Sequence, residues 1–297
     1  MPYLSKLLLF GEHTINRGSN ALAIPYPAFA GDWAYSADFS PQQNLSAFAA
    51  HLEILQQAGS LLASLDLDTF QSALSKGLYF NSTIPVGYGL GSSGALCAAV
   101  YDRFCPIKIE RTDRARFPEL KQALAQIESF FHGSSSGTDP LICYLNQPIL
   151  LKSDGTIEIV DLPTPAELTF FLLDTLLPRS TGPLVQFFLQ SCEEATFFDK
   201  VTAQLVWHTN EAIAAFLKAD WKNLFENTVE ISRFQMEELP NMTPPAFHGV
   251  WKAGLQSDLY CLKMCGAGGG GFILGVTFDW KKTTKQLSDY SLRTIEK

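Results

Sequence analysis

The stretch Pro85-Val-Gly-Tyr-Gly-Leu-Gly-Ser-Ser-Gly-Ala95 decides how this chain should fold and what it should bind. Its alternating glycines lead directly into small and apolar residues, which predict a helix over residues 92–104. Glycine lets a backbone approach a ligand closely, and the free N–H groups of a first helical turn favour an anion. The stretch therefore predicts a phosphate-binding loop, and the alternative is a structural turn with a serine N-cap.

Two other phosphate motifs compete with this interpretation. Residues 89–94 and 266–271 both match the dinucleotide pattern G-x-G-x-x-G. That fold requires an acidic residue about 20 positions further on, after a second strand. Glu110 lies near that distance, but residues 106–110 are a poor strand. A Walker A loop is excluded because neither glycine run ends in Gly-Lys-Ser or Gly-Lys-Thr.

Two carboxylates flank a polar turn in the middle of the chain. Glu128 falls in the amphipathic helix predicted over residues 114–131, and the Gly/Ser turn at 132–138 leads to Asp139. Such a pair can divide its work, since one carboxylate binds Mg²⁺ while the other accepts a proton from a hydroxyl. The alternative is a solvated turn in which Asp139 caps the next segment.

Two further segments combine glycine with charge. Residues 263–272, Lys-Met-Cys-Gly-Ala-Gly-Gly-Gly-Gly-Phe, lie between predicted strands. Four consecutive glycines are costly in entropy, so they indicate close approach to a ligand or to another backbone; a flexible hairpin loop is the alternative. Lys6, on a strand that leads to Gly11-Glu-His13, could supply an active-site cation, although alone it would be typical of an exposed lysine.

Composition excludes several classes of protein. With 297 residues, 46% hydrophobic and 18% charged, the chain is too apolar to be disordered and long enough for two domains. A net charge of −8 without a dense basic cluster argues against nucleic-acid binding. The sequence has no apolar run of about 20 residues, which argues against a membrane span. Six cysteines without C-x-x-C spacing predict buried thiols in a reducing compartment, hence the cytoplasm.

The four motifs occur in the order found in one family. The chain resembles the GHMP kinases: residues 6–13 look like their first motif, 85–95 like their phosphate loop, and 263–271 like their third motif. Within the family the mevalonate kinase branch is most similar, because of His132-Gly-Ser-Ser-Ser-Gly-Thr-Asp139 and Pro178-Arg-Ser-Thr181. Gly94 in place of alanine and Ser134-Ser135 in place of Asn-Pro depart from the family pattern.

The resemblance implies an α+β fold of two domains, residues 1–164 and 165–297, with a break at the prolines of Asp161-Leu-Pro-Thr-Pro165. The N-terminal domain would contain a left-handed βαβ crossover, although right-handed crossovers are the general rule. The C-terminal domain would be ferredoxin-like. Family members are often dimers, so a homodimer is an expected assembly.

The resemblance also implies ATP and Mg²⁺ as cofactors and phosphoryl transfer to a small-molecule acceptor, with mevalonate the first choice. A sugar or another isoprenoid-pathway acceptor, or an idle nucleotide-binding homologue, are the alternatives. Asp139 would accept the proton of the acceptor hydroxyl beside Lys6, and Ser93 and Glu128 would hold Mg²⁺. The residues expected to bind ATP are Pro85, Gly87, Gly89, Leu90, Gly91, Ser92, Ser93, Gly94 and Ser136. Those expected to contact the acceptor or the transferred phosphate are Glu12, His13, Thr181, Gly266, Ala267 and Gly268.

Overall fold

The computed structural model describes residues 2–36, 43–165, 167–179 and 181–295. Helices and strands are mixed along the chain, as predicted. The strands are β1 (Tyr3–Phe10), β2 (Ala21–Tyr35), β3 (Leu78–Ser82), β4 (Ile149–Leu151), β5 (Ile157–Ile159), β6 (Thr169–Asp174), β7 (Tyr260–Met264), β8 (Phe272–Thr277) and β9 (Leu292–Thr294). The α-helices are α1 (Gln43–Gln57), α2 (Leu67–Ser75), α3 (Ser92–Phe104), α4 (Phe117–His132), α5 (Thr138–Leu145), α6 (Thr181–Ser191), α7 (Ala195–Lys200), α8 (Trp207–Leu217), α9 (Trp221–Glu238), α10 (His248–Ser257) and α11 (Trp280–Gln286).

Packing divides the chain into two compact units. The first contains the chain up to Lys6 with residues 24–85 and 90–147, and the second contains residues 7–23, 86–89 and the chain from Pro148 onward. Residues 7–23 join the second unit because the start of β2 pairs with β4, Ala21 opposite Leu151. The single boundary between residues 164 and 165 stays a prediction, since these units follow packing rather than chain order.

In the first unit, helices pack around the antiparallel pair formed by the end of β2 and by β3. The end of β2 pairs antiparallel with β3, with Gly31 opposite Ser82 and Tyr35 opposite Leu78. The apolar stripe predicted on α4 is buried at Phe117, Leu120, Leu124 and Ile127, as are most residues of α3. Helix α5 packs against both α3 and α4, so the starts of α3 and α5 are held by a shared core.

The second unit contains a four-stranded antiparallel sheet in the order β7-β8-β6-β9, with α9 packed against β7. Phe171 of β6 lies opposite Gly275 of β8 and is fully buried. A Cβ atom at Gly275 would lie 2.1 Å from the Phe171 ring, so the core at this point requires glycine. Residues 21–23 of β2, together with β4 and β5, form antiparallel pairs in the same unit.

One strand is longer than the sequence predicts. The apolar run from Ala21 to Ile24, followed by Pro25 and Pro27, predicts a strand that ends at Ile24, yet β2 continues to Tyr35. Residues 21–23 pair with β4 and residues 31–35 pair with β3. The prolines lie between these two stretches, where a missing N–H interrupts neither ladder.

The predicted burial of the cysteines is confirmed: all six are buried, and none forms a disulfide. Among the described residues, no helix combines the length and the apolar character needed to cross a membrane.

Candidate active site

Helix α3 begins at the end of the predicted phosphate loop. Its N-cap is Gly91, in a left-handed conformation with φ of 75°, so the serine N-cap that we considered as an alternative is not formed. The N–H groups of Ser92, Ser93 and Gly94 lie in the first turn, where a helix offers them no acceptor. A Cβ atom at Gly91 would lie 2.9 Å from Cγ of Lys6, so glycine allows the lysine to pass beside the loop.

Lys6 is a buried lysine, only 5% exposed, and not a surface residue. Its Nζ lies 2.8 Å from Oδ1 of Asp139, whose side chain remains partly accessible. Asp139 is the second residue of α5, and the N-cap of that helix is Gly137, so the carboxylate does not serve as the cap. The ion pair with Lys6 holds the Asp139 carboxylate where it could accept a proton. The Lys6 ammonium group could stabilise negative charge that develops nearby.

Glu128, in the last turn of α4, is also buried, and both of its carboxylate oxygens accept hydrogen bonds. The Ser93 hydroxyl donates to Oε1 at 3.0 Å and the Ser135 hydroxyl donates to Oε2 at 2.5 Å. Burial raises the pKa of Glu128 to about 7, and the negative charge of Asp139 acts in the same direction. His132 Nε2 lies 3.1 Å from the Ser93 hydroxyl oxygen. When Ser93 donates its proton to Glu128, Nε2 of His132 is the donor in this contact.

The donor set around Ser93 suits a magnesium ion. Mg²⁺ prefers oxygen and is usually held by one or two carboxylates together with substrate phosphates and water. A hydroxyl and a carboxylate oxygen 3.0 Å apart meet the protein's share of that requirement. Within the described ranges no cluster of three or more His, Cys, Asp or Glu residues could hold a metal alone.

In the second unit, Arg179 lies against two glycine segments. Its backbone N–H donates to the carbonyl of Gly87 at 2.9 Å, and its Nη1 donates to the carbonyl of Cys265 at 2.8 Å. A Cβ atom at Gly89 would lie 1.5 Å from Nη2 of Arg179, and one at Gly266 would lie 2.5 Å away. The absence of side chains at these glycines creates the space that the guanidinium fills.

Glu12 and Lys263 form a buried ion pair with an Oε1–Nζ distance of 2.5 Å. Both side chains are almost inaccessible, and Lys263 also donates to the carbonyls of Leu9 and Met264. Burial raises the pKa of Glu12, against the opposing effect of the ammonium group. Gln235 donates to the same oxygen of Glu12, which leaves Oε2 buried without a hydrogen-bond partner among the described residues.

His13 follows Glu12 in an unusual backbone conformation, with φ of 63°. Its Nε2 lies 3.2 Å from the carbonyl of Ala267, and its ring lies 4.9 Å from that of Phe188, centroid to centroid. Burial lowers the pKa of His13 to about 4, so the ring is neutral at pH 7. If Nε2 donates to Ala267, then Nδ1 is an acceptor, and it is buried without a partner in the described part of the chain.

The third glycine motif packs against other backbone segments. The N–H of Gly269 donates to the carbonyl of Met242, and the N–H of Gly271 donates to the carbonyl of Leu177, both at 2.7 Å. Close approach to another backbone, one of the two expectations for this run, is therefore what the structure shows. These two N–H groups are already used, so a phosphate contact by a backbone N–H of this loop would need another of its residues, within 266–268 or at Gly270.

The remaining predicted residues occupy simpler positions. Pro85 is half-buried and Leu90, whose carbonyl accepts from the Lys6 N–H at 2.9 Å, is buried. The hydroxyl of Ser136 donates to Oγ1 of Thr138 at 3.1 Å, at the start of α5. Thr181 is exposed at the start of α6, and its neighbour at position 180 lies outside the described residues.

Sequence reasoning did not assign four residues that the structure places in these clusters: Arg179, Lys263, His132 and Ser135. Arg179, Lys263 and His132 lie inside motifs that we quoted, so their position in those motifs was a usable signal. Ser135 was noticed only as a departure from the family pattern, and its contact with Glu128 depends on the shape of the turn.

Comparison with known proteins identifies a family for part of the chain. Residues 48–147 match the family model described as GHMP kinases N terminal domain. This segment is a GHMP kinase N-terminal domain. The predicted resemblance to the GHMP kinases is confirmed, and so is the implied class of enzyme, a small-molecule kinase.

Similar proteins match nearly the whole length of this chain. A mevalonate kinase from Dictyostelium discoideum is 21% identical, over 97% of this chain and 89% of the relative. A phosphomevalonate kinase from Streptococcus pneumoniae, solved with phosphomevalonate and AMPPNP, matches with a TM-score of 0.68 and 16% identity, over 99% of both chains. A galactokinase from Lactococcus lactis, solved with galactose, also has a TM-score of 0.68 and 16% identity, over 99% of this chain and 91% of that one. The structural matches confirm the predicted two-domain α+β fold, while the handedness of the crossover stays a prediction.

Proposed function

We propose that this GHMP kinase transfers the terminal phosphoryl group of ATP to a hydroxyl of a small metabolite, with mevalonate as the acceptor. One observation carries the proposal: the Lys6–Asp139 ion pair lies directly beside the first turn of α3 in the first unit. A Cβ atom at Gly94 would lie 2.9 Å from the carbonyl carbon of Asp139, which shows how close the two elements are.

Each group in this cluster has a role in phosphoryl transfer, which depends on positioning and on charge stabilisation more than on covalent chemistry. The N–H groups of Ser92, Ser93 and Gly94 would bind phosphate oxygens. Ser93 and Glu128 would hold Mg²⁺, which when bound neutralises charge on the phosphates. Asp139 would accept the hydroxyl proton of the acceptor, and Lys6 would stabilise the charge that develops on the transferred group.

The choice of acceptor rests on sequence similarity. The mevalonate kinase from D. discoideum matches nearly the whole chain, and the motif around Pro178 resembles the same branch. Two buried acceptor atoms in the second unit, Oε2 of Glu12 and Nδ1 of His13, have no partner among the described residues and suit the hydroxyl hydrogens of a polar metabolite. A sugar would satisfy the same atoms, and the galactokinase match has the same fold, so a sugar kinase is the second candidate.

An acceptor panel tests the proposal. ADP release from ATP is measured with mevalonate, phosphomevalonate and galactose at matched concentrations, with Mg²⁺ present. We expect turnover with mevalonate to exceed that with the other two. Robust turnover of galactose without turnover of mevalonate would make a sugar the acceptor instead of mevalonate. ATP binding without turnover of any acceptor would contradict the kinase activity.

The same assay tests the base. Asp139→Asn should lower turnover by roughly 10²–10⁴-fold while ATP affinity stays within about twofold, because proton transfer is lost and phosphate binding is not. Asp68→Asn is the matched control, since Asp68 is also the second residue of its helix but is exposed. Full turnover by Asp139→Asn would show that another group accepts the proton.

A further inference from the structure

We propose that Ser135 makes the cation site of this chain selective for Mg²⁺ over Ca²⁺ by occupying one oxygen of Glu128. The inference rests on the proposed function, because it requires that Glu128 bind a divalent cation. It goes further by giving a role to a residue of the turn that follows α4. Ser135 acts here as a positioning residue, through Glu128.

The contact is well defined on both sides. Ser135 donates to Oε2 of Glu128 at 2.5 Å, and the Ser135 oxygen in turn accepts from the backbone N–H of Gly137 at 2.9 Å. Gly137 is buried, and a Cβ atom there would lie 2.0 Å from the carbonyl oxygen of Lys121, so its backbone packs closely against α4. The hydroxyl therefore has a donor and an acceptor partner in the first unit, at the N-cap of α5 and in the last turn of α4.

Occupation of Oε2 limits how Glu128 can bind a cation. The carboxylate is only 4% exposed, so it cannot turn freely to present another edge. Oε1 remains beside the Ser93 hydroxyl at 3.0 Å. A cation at Ser93 would consequently meet Glu128 through one oxygen.

One-oxygen binding favours the smaller ion. Mg²⁺ requires near-octahedral coordination at about 2.0–2.1 Å, which suits a single carboxylate oxygen. Ca²⁺ takes about 6–8 oxygens and often uses both oxygens of a carboxylate. Because Ser135 holds the second oxygen, Ca²⁺ would lose a ligand that it can use and Mg²⁺ would lose nothing.

The chain provides its own matched control. Ser134 is the preceding residue of the same turn and is exposed. Ser134→Ala removes the same atom from the same loop but leaves Glu128 untouched. Ser135→Thr keeps a hydroxyl at the position and should retain the behaviour of the original chain.

Binding of the nucleotide complexes by calorimetry tests the inference without relying on turnover. The dissociation constants of Mg·AMPPNP, Ca·AMPPNP and metal-free AMPPNP are measured for the full chain and for each variant. For the original chain, Ser134→Ala and Ser135→Thr, we expect the Mg²⁺ complex to bind more tightly than the Ca²⁺ complex. For Ser135→Ala we expect the ratio of the two constants to fall by about tenfold, the lower end of the effects seen when groups that orient metal ligands are removed.

The outcomes separate this inference from the proposed function. Glu128→Gln should abolish the advantage of Mg·AMPPNP over metal-free AMPPNP. Suppose that Glu128→Gln has this effect but that Ser135→Ala keeps the ratio of the Ca·AMPPNP and Mg·AMPPNP dissociation constants found for the original chain and for Ser134→Ala. The selectivity role of Ser135 is then wrong, while the cation site at Glu128 is supported. If the original chain binds Mg·AMPPNP and metal-free AMPPNP equally well, the cation site itself is wrong and the inference is overturned with it.

Discussion

Lys263 and Glu12 place two opposite charges almost completely out of water, 2.5 Å apart. Removing one member of such a pair leaves the other charge buried and uncompensated, which costs about 3–5 kcal/mol. We therefore expect Lys263→Met to lower the free energy of unfolding by that amount, measured by urea denaturation at pH 7. The double variant Glu12→Leu/Lys263→Met should lose at least about 1 kcal/mol less than the sum of its single changes, because it removes both charges.

An exposed ion pair provides the comparison. Lys222 and Glu226 lie 3.8 Å apart on α9, and their side chains are 84% and 58% exposed. Lys222→Met should change the free energy of unfolding by less than about 0.5 kcal/mol. Additive effects in the buried double variant would mean that Lys263 and Glu12 act independently, contrary to the contact that they make.

Residues of the candidate site could be predicted from the sequence where a reactive side chain lies at a characteristic spacing within a motif. The structure brings Lys6 and Asp139 into contact, and likewise Ser93 and Glu128, although their roles in the reaction stay predictions. Arg179 was not predicted, because its position depends on the space left by glycines that are distant in sequence. Burial of Lys6 could not be predicted either, since an isolated lysine is usually exposed and only the packed loop removes it from water.

At the scale of elements, the approach of α3 to α5 depends on a glycine. A Cβ atom at Gly94 would lie 2.9 Å from the carbonyl carbon of Asp139 and from the nitrogen of Pro140, so the backbone would have to shift. We expect Gly94→Ala to lower turnover by about tenfold, because small displacements of reacting groups are costly. The loss of stability should be small, since better helix propensity, worth about 1 kcal/mol, offsets the crowding.

Gly249 is a helical glycine with open space around it and serves as the control. Nothing lies within 4 Å of the position that its Cβ atom would occupy, in the first turn of α10. Gly249→Ala should leave turnover unchanged and stabilise the chain slightly. Equal turnover of Gly94→Ala and Gly249→Ala would show that the two helices adjust without moving Asp139.

The ends of a helix could be predicted where the hydrophobic period stops at a glycine or proline. The helix predicted over residues 92–104 is found as Ser92–Phe104, because glycines precede it and its buried face is continuous. Apolar residues near a 3.6-residue period predict a helix over residues 44–66, but α1 ends at Gln57, because the last apolar residues of that pattern, Leu61 and Leu62, lie in the bend that follows. The sequence also predicts a long helix over residues 195–218, which a π-helical turn, Val201–Val206, interrupts, and no local pattern indicates that turn.

At the scale of the whole molecule, one buried histidine makes stability depend on pH. Burial holds the pKa of His13 at about 4, below its ordinary value of 6.5, so between these values the unfolded chain binds more protons than the folded chain. Stability from this group is therefore present at pH 7 and is lost as the pH falls. We expect a loss of about 2 kcal/mol between pH 7 and pH 5 from His13, measured by urea denaturation at both values.

Two histidine variants isolate this effect. His13→Gln should lose less stability than the original chain between pH 7 and pH 5, whatever its absolute stability at pH 7. His51→Gln makes the same substitution at a half-buried histidine of α1 and is the matched control. An unchanged pH dependence in His13→Gln would assign the acid sensitivity to other groups.

The division of β1 and β2 between the two units has a consequence for how the protein is made. Residues 7–23 are synthesised early, but the second unit to which they belong is completed only by the chain from Pro148 onward. At about 5–20 residues per second, the ribosome needs roughly 6–25 s to reach β4 and roughly 12–50 s to reach Lys263. During that interval Glu12 has no Lys263, and the start of β2 has no β4. Chaperones that recognise exposed strands could bind during that interval, and a fragment that begins after residue 147 would lack Glu12 and the start of β2.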